Sequence, residues 1–170
     1  MRINMKGTGM KHLFIKLGAA ICVMALCLGV VSGCANGAAN VDSAQQAHRT
    51  YMSKVNGIMA QLGDDLDSFV DAVSRDDLVN MRTQADNAYR SLDELSKLEP
   101  PEDLQDVQKQ YVDGTAKLRE ALDGYIELYT ATDSSDFDQS TYASRLANVQ
   151  KLYDEGVDLL KKADEAAASK

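Results

Sequence analysis

Apolar side chains recur every three or four residues through most of the chain, which is the spacing of one face of an α-helix. The pattern forms four segments, at residues 41–74, 77–98, 101–132 and 139–167. None of these segments alternates apolar and polar residues with the two-residue period of a β-strand. The sequence therefore predicts an all-α domain of four amphipathic helices over residues 41–168.

The connections between the four segments are short and carry residues that end or cap helices. Pro100 and Pro101 stop the second segment, and Pro101 also suits the first turn of the next helix. The polar stretch at 132–140 predicts a loop, and Ser74 or Asp76 is expected to cap the second helix. Four helices with short connections fold most simply as an up-down-up-down four-helix bundle.

Glycines inside the predicted helices include Gly57, Gly114, Gly124 and Gly156. A glycine in a helix interior costs up to about 1 kcal/mol relative to alanine. Such a cost indicates close helix contacts or local bends at some of these positions, and tolerated surface positions at others.

The charged residues are unevenly distributed along the chain. The first 33 residues contain four basic side chains and no acidic one, which leaves 14 basic and 26 acidic side chains after residue 33. The formal net charge of that later part is therefore −12, compared with −8 for the whole chain. A surface this acidic repels nucleic acid, which excludes it as an expected partner, and suits contact with a cationic molecule.

The N-terminal part of the chain has the layout of a targeting segment. A basic stretch at residues 1–16 precedes a 15-residue apolar run at residues 17–31, which contains Cys22 and Cys27. A helix that spans a bilayer needs roughly 20 apolar residues, so the run is short for a permanent anchor. A basic front followed by a short apolar run is typical of a secretory signal peptide.

The apolar run ends in the sequence VSGC, whose last residue is Cys34. This sequence resembles the lipobox of bacterial lipoproteins, in which an aliphatic residue and two small residues precede a cysteine. The resemblance covers residues 1–34. It implies a signal peptide at residues 1–33, cleavage by a lipoprotein signal peptidase between Gly33 and Cys34, and a thioether-linked diacylglycerol on Cys34. The chain as a whole is similar to small helical-bundle lipoproteins, a likeness that assigns no role to any residue beyond Cys34.

The lipobox resemblance implies a location as well as a modification. The lipid on Cys34 would hold the protein to the extracytoplasmic face of the cell membrane, since each buried methylene contributes roughly 0.8 kcal/mol. Residues 34–40 would then form a short tether, of which the last six residues reach at most about 20 Å. The alternatives are an ordinary signal peptide cut slightly later, near CANGAA, and an uncleaved helix.

The sequence after residue 34 offers few groups for catalysis. It contains no cysteine and a single histidine, His48, which is expected at the rim of the first helix. It also lacks the G-x-S-x-G, H-E-x-x-H and phosphate-loop motifs. We therefore expect neither an enzymatic activity nor a cofactor.

Two groups of aspartates are weak candidates for cation ligands. One shares a face of the first helix and the other lies in the loop before the last helix: Asp64, Asp67 and Asp71, and Asp133, Asp136 and Asp138. An exposed helical face does not converge on an ion, and the loop lacks the spacing, glycine and closing glutamate of an EF-hand. The favoured interpretation is solvated acids that cap helix ends, with no metal site.

Five tyrosines occupy two helix faces that are expected to meet. They are Tyr111, Tyr125 and Tyr129 on the third helix, and Tyr142 and Tyr153 on the fourth. The favoured interpretation is a core whose hydroxyls reach its rim. The alternative is a ligand groove with tyrosine walls.

Two functions are compatible with these features. The membrane anchor and the lack of reactive groups favour a non-catalytic envelope lipoprotein, an interaction or structural module that contacts another envelope protein or the cell wall. The alternative is a ligand-binding lipoprotein that captures a cation, a basic peptide or a small molecule between its helices.

Overall fold

The computed structural model describes residues 43–132, 134 and 136–170, which form four α-helices. These are α1 (Ser43–Ser74), α2 (Leu78–Ser96), α3 (Gln105–Ala131) and α4 (Tyr142–Ala168). Short 3₁₀ helices at Glu102–Leu104 and Gln139–Thr141 lead into α3 and α4. The described residues contain no β-strand, and the prediction of an all-helical chain with four helical segments is confirmed.

The predicted signal peptide at residues 1–33, the lipidation position Cys34 and the tether at residues 34–40 lie outside the described residues. Within the described part of the chain, no helix combines the length and the apolar character needed to cross a membrane.

The turn between α1 and α2 differs from the predicted capping. Asp76 has φ of 56°, a left-handed conformation that aspartate tolerates better than most residues. The Asp76 N–H donates to the Val73 carbonyl and the Asp77 N–H to the Ala72 carbonyl, both at 3.1 Å, which is the Schellman pattern of a helix C-terminus. Since Asp76 closes α1, the N-cap of α2 falls to Asp77, whose carboxylate accepts from the Asn80 N–H at 3.1 Å. The expectation that Ser74 or Asp76 caps the second helix was therefore wrong, since the cap is Asp77.

The connection around the two prolines is also slightly longer than predicted. α2 ends at Ser96 rather than residue 98, and Pro101 adopts an extended conformation with ψ of 159°. The chain then makes one 3₁₀ turn, closed by the Leu104 N–H to the Pro101 carbonyl at 3.0 Å, before α3 begins. Proline favours this outcome because it lacks an N–H and fixes its own φ.

The core consists of aliphatic side chains, small residues and tyrosines from all four helices. The largest side chains with no more than 1% exposure include Phe69, Met81, Tyr111 and Tyr125. Helices adjacent in sequence pack against each other, α1 on α2, α2 on α3 and α3 on α4. Each helix therefore buries its apolar stripe against at least one sequence neighbour.

The α3–α4 pair packs closely because two glycines meet where the helices cross. A Cβ atom on Gly114 would lie 3.1 Å from the Gly156 carbonyl oxygen and 2.8 Å from Leu160 Cδ2. A Cβ atom on Gly156 would lie 3.0 Å from the Leu118 backbone nitrogen and 2.8 Å from its Cγ. The cost of two helical glycines is therefore offset by a contact that a side chain would prevent.

One buried glutamine joins three helices near the proline connection. The Gln108 Nε2 group donates to the carbonyls of Leu95, at 2.9 Å, and Ser96, at 3.2 Å, which end α2. Its Oε1 accepts a hydrogen bond of 2.6 Å from the Tyr51 hydroxyl of α1. Gln108 thus bonds to carbonyls of the last turn of α2, of which that of Leu95 also accepts from the Leu98 N–H at 3.4 Å.

Candidate functional site

The five tyrosines singled out from the sequence occupy the core rather than an open wall. Tyr111, Tyr125, Tyr129 and Tyr153 are at most 4% exposed, and Tyr142 is half-buried. Tyr111 and Tyr125 are 14 residues apart on one helix, which separates them by about 21 Å. The structure therefore distributes the tyrosines along the bundle instead of gathering all five.

Tyr111 lies near Tyr51 and donates a hydrogen bond to the Asp164 carboxylate of α4. Burial raises the pKa of both hydroxyls, to about 12 for Tyr51. Burial also raises the pKa of Asp164, while the bond from Tyr111 opposes that change. At this end of the bundle a phenol and a carboxylate satisfy each other, so the pair stabilises the α3–α4 contact.

A second aromatic group lies near the turn between α1 and α2. The Tyr125 ring packs edge-on against Phe69, with centroids 5.7 Å apart, and lies 6.5 Å from the Tyr129 ring. The Tyr129 hydroxyl donates to the Asp76 backbone carbonyl at 3.3 Å. Tyr142 is close enough to Tyr125 to contribute to the raised pKa of that residue, which is caused mainly by burial. The rings fill space between α1, α3 and α4, as expected of core aromatics.

Tyr153 of α4, the last of the five tyrosines, is also buried. Burial raises its pKa, and the nearby carboxylates of Asp154 and Asp67 raise it further. Its hydroxyl and the Nε2 atom of His48 are buried without a hydrogen-bond partner among the described residues. His48 itself is half-buried on α1, in line with the expected rim position.

The loop aspartates act locally where the structure describes them. The Asp138 carboxylate accepts from the Ser140 N–H at 2.9 Å and from the Ser140 hydroxyl at 2.7 Å, which lowers the Asp138 pKa. Asp136 is exposed, and Asp133 lies outside the described residues. On α1, Asp71 pairs with Arg75, and Asp64 and Asp67 are exposed. Among the described residues, no three or more His, Cys, Asp or Glu side chains are arranged to hold a metal ion.

The buried polar side chains that the sequence did not indicate include Gln108 and Asp65. Besides Gln108, Asp65 of α1 is only 6% exposed, and its carboxylate accepts bonds of 3.0 Å from the Ser91 hydroxyl of α2 and from the Gln61 amide. The apolar pattern gives no signal for either residue, because the partners come from other helices or from one turn away.

An open groove between α1 and α2 is a surface feature with room for a small ligand. It has a cavity volume of about 540 Å³ and a mainly apolar surface. Its lining residues come from both helices: Ser53, Lys54, Gly57 and Ile58 from α1, and Glu94, Lys97 and Leu98 from α2. This volume lies within the range of roughly 300–1,000 Å³ that is usual for small-ligand pockets.

The charged side chains along this groove have few partners in the protein. Within the described part of the chain, Lys54 and Glu94 form no ion pair, and Lys97 approaches Asp93 at 3.9 Å. The floor includes Ile58 and Leu98, both half-buried. The groove thus combines two ammonium groups, one carboxylate and an apolar floor. The sequence signal that could have indicated it is Gly57, a helical glycine beside an apolar residue.

Comparisons with protein families, with curated proteins and with solved structures gave no match to this chain.

Proposed function

We propose that this protein is a lipid-anchored, non-catalytic module of a bacterial cell envelope, held at the extracytoplasmic face of the membrane through Cys34. The observation that carries the proposal is the order of the N-terminal features. A basic segment, a 15-residue apolar run and the sequence VSGC follow one another before the helical domain begins at Ser43. Cys34 lies nine residues before Ser43, so the linking chain reaches at most about 30 Å.

The domain behind this anchor is, in our proposal, an up-down-up-down bundle. Pairs of contacting residues support this order of directions. In α3 and α4, Lys117 lies 3.7 Å from Glu155 and Arg145 lies 2.8 Å from Glu127, so residues later in α3 meet residues earlier in α4. The Asp65–Ser91 bond fits the same reversal between α1 and α2, which are joined by three residues.

This arrangement gives the module a defined orientation. α1 has 32 residues and is therefore about 48 Å long. Since the chain enters α1 from the anchor, the turn at Asp76 lies at the far end of the rod. The exposed faces are rich in acidic side chains, and the aromatic and amide groups of the core bond to one another, which suits a scaffold that offers its outer surface to an envelope protein or the wall.

The anchor is tested by mass spectrometry of the protein purified from membranes of a bacterial host. We expect an N-terminal Cys34 carrying a diacylglycerol, and we expect the Cys34→Ala variant to lose the lipid and leave the membrane fraction. Cys27→Ala is the matched control, because Cys27 lies inside the segment that would be removed. An unacylated N-terminus, or a Cys34→Ala variant that stays in the same membrane pool, contradicts the proposal.

The interaction role is tested by photo-crosslinking in intact cells. Val79 is 76% exposed near the turn that would lie farthest from the membrane, so a photoreactive residue there samples partners at the outer end. We expect a discrete crosslinked band that disappears in the Cys34→Ala background, because the unanchored domain is no longer concentrated at the membrane. A full set of exposed positions on all four helices that yields no band above background argues against an interaction module.

The alternative function, ligand capture between helices, is favoured by one observation, the groove between α1 and α2. Its location differs from that of the tyrosine-walled groove, which the sequence offered only as the alternative to a tyrosine core.

A further inference from the structure

Gly57 differs from three other glycines in the helix interiors. The Cβ positions of Gly114, Gly124 and Gly156 each come within 3.1 Å of a neighbouring helix, whereas a Cβ atom on Gly57 meets nothing within 4 Å. Internal packing therefore explains the first three glycines and does not explain Gly57. Since a helical glycine costs up to about 1 kcal/mol relative to alanine, the open space above Gly57 suits close approach by a group from outside this fold.

The groove beside Gly57 limits what that occupant can be. Lys54 and Lys97 favour a carboxylate, Glu94 favours an ammonium group, and Ile58 and Leu98 favour an apolar side chain. A purely anionic ligand meets a domain with a formal net charge of −12, which disfavours its approach. A zwitterion carries both charges that the groove complements and no net charge that the domain repels.

We propose that the groove between α1 and α2 binds a short peptide with a free amino group, a free carboxylate and an apolar side chain. The carboxylate contacts Lys54 and Lys97, the amino group contacts Glu94, and the apolar side chain rests on Ile58 and Leu98. The peptide backbone passes over Gly57, where no side chain obstructs it. This assignment goes beyond the anchored module proposed above and does not require the lipid on Cys34.

The test uses NMR on the full-length, isotope-labelled chain, with the dipeptide leucylalanine as the probe. We expect saturable shifts at amides of Gly57, Ile58, Lys97 and Leu98, with a dissociation constant on the order of 1 mM, since the groove is open and the ligand is small. Neutralising one lysine, in Lys54→Gln or Lys97→Gln, weakens binding about threefold, as for an exposed ion pair. Blocking both termini of the probe by acetylation and amidation should remove saturable binding.

A pair of methionine variants separates binding from folding. Gly57→Met places a side chain in the groove without a steric clash and improves helix propensity, so it should fold at least as well as the parent and bind more than about tenfold more weakly. Ala60→Met adds the same side chain to an exposed position of α1 outside the groove and should bind like the parent.

Three results would overturn the assignment. They are the absence of shifts at dipeptide concentrations up to about 10 mM, ten times the expected dissociation constant, equal binding by the Gly57→Met and Ala60→Met variants, and equal binding of the blocked and unblocked dipeptides. Because all three readouts are independent of acylation, they leave the test of the membrane anchor unaffected.

Discussion

At the residue scale, three buried tyrosines and the half-buried Tyr89 donate hydrogen bonds to polar groups outside their own helix. Tyr51 donates to Gln108, Tyr111 to Asp164, Tyr129 to the Asp76 carbonyl and Tyr89 to Asp123. Each bond joins two helices or a helix and a turn, and a buried hydroxyl left without its partner is costly. These bonds therefore fix how the helices align with one another, which the non-directional apolar contacts of the core do not do alone.

Asp164 gives the protein a measurable response to pH. Its folded-state pKa lies above the ordinary value of 3.8, so the folded protein holds this proton more tightly than the unfolded chain does. The contribution of Asp164 to stability is therefore greatest below pH 3.8 and falls as pH rises from there through the raised folded-state pKa.

The Asp164→Asn variant removes this titration while keeping an acceptor for Tyr111. We expect its stability relative to the parent to increase as pH rises from 3.5 to 7, because the parent alone then buries a charge. Urea unfolding at several pH values measures the difference, and Asp158→Asn, at a more exposed position on the same helix, is the control. A difference that is constant with pH would contradict the raised pKa.

Loss of Gln108 should affect three helices, α1, α2 and α3. The Gln108→Leu change removes bonds to Tyr51, Leu95 and Ser96 and leaves the Tyr51 hydroxyl buried without that partner. We expect a loss of about 3 kcal/mol in the free energy of unfolding. Denaturant unfolding measures it, with the exposed Gln105→Leu as a control that should change stability little. Equal effects of the two changes would mean that Gln108 has no bridging role.

At the element scale, the sequence predicts the positions of the helices well and the residues at which they begin and end less well. The apolar spacing located all four helices because each stripe is buried on one face. The cap at Asp77 was missed since a left-handed conformation at Asp76 ends α1 in a way usually associated with glycine. Likewise the one-turn 3₁₀ entries to α3 and α4 depend on local bonding that apolar spacing does not encode.

The glycines provide a prediction about how helices approach each other. Gly156→Ala places a methyl group 3.0 Å from the Leu118 backbone nitrogen, which cannot move without shifting α3. We expect a loss of about 2 kcal/mol despite the better helix propensity of alanine. Gly57→Ala meets open space and should gain up to about 1 kcal/mol.

Thermal unfolding of the two variants side by side measures both effects. We expect the melting temperature to fall for Gly156→Ala and to rise for Gly57→Ala. Changes of the same sign would show that α3 and α4 have room for a methyl group at Gly156.

At the scale of the whole molecule, repulsion among the acidic side chains destabilises the folded state. Residues after 33 carry a formal net charge of −12, and the ion pairs of the described helices involve exposed or half-exposed side chains that contribute little. We therefore expect the melting temperature to rise when sodium chloride is increased from about 10 mM to about 300 mM, since salt screens the repulsion among acids. Calorimetry at constant pH measures the change. A falling melting temperature would mean that the ion pairs outweigh the repulsion.

For the candidate sites, the sequence indicates the residue types but not the contacts between helices. The composition indicated that tyrosines would be prominent in the core, because the chain has seven tyrosines and no tryptophan. It could not indicate which hydroxyl meets which carboxylate, since Asp164 and Asp123 reach their tyrosines from other helices. The groove beside Gly57 depends on how α1 and α2 meet near the prolines, and the spacing of residues along one helix does not encode that relation.

The buried phenols also make the protein an optical reporter of its own unfolding. Burial is the leading cause of the raised pKa values of Tyr51, Tyr111, Tyr125 and Tyr153. The folded state therefore retains these protons above pH 10, the ordinary value, and its stability falls as alkalinity increases beyond that point. Ultraviolet absorption of tyrosinate should consequently develop together with the loss of helical circular dichroism, as one cooperative step without any attached dye.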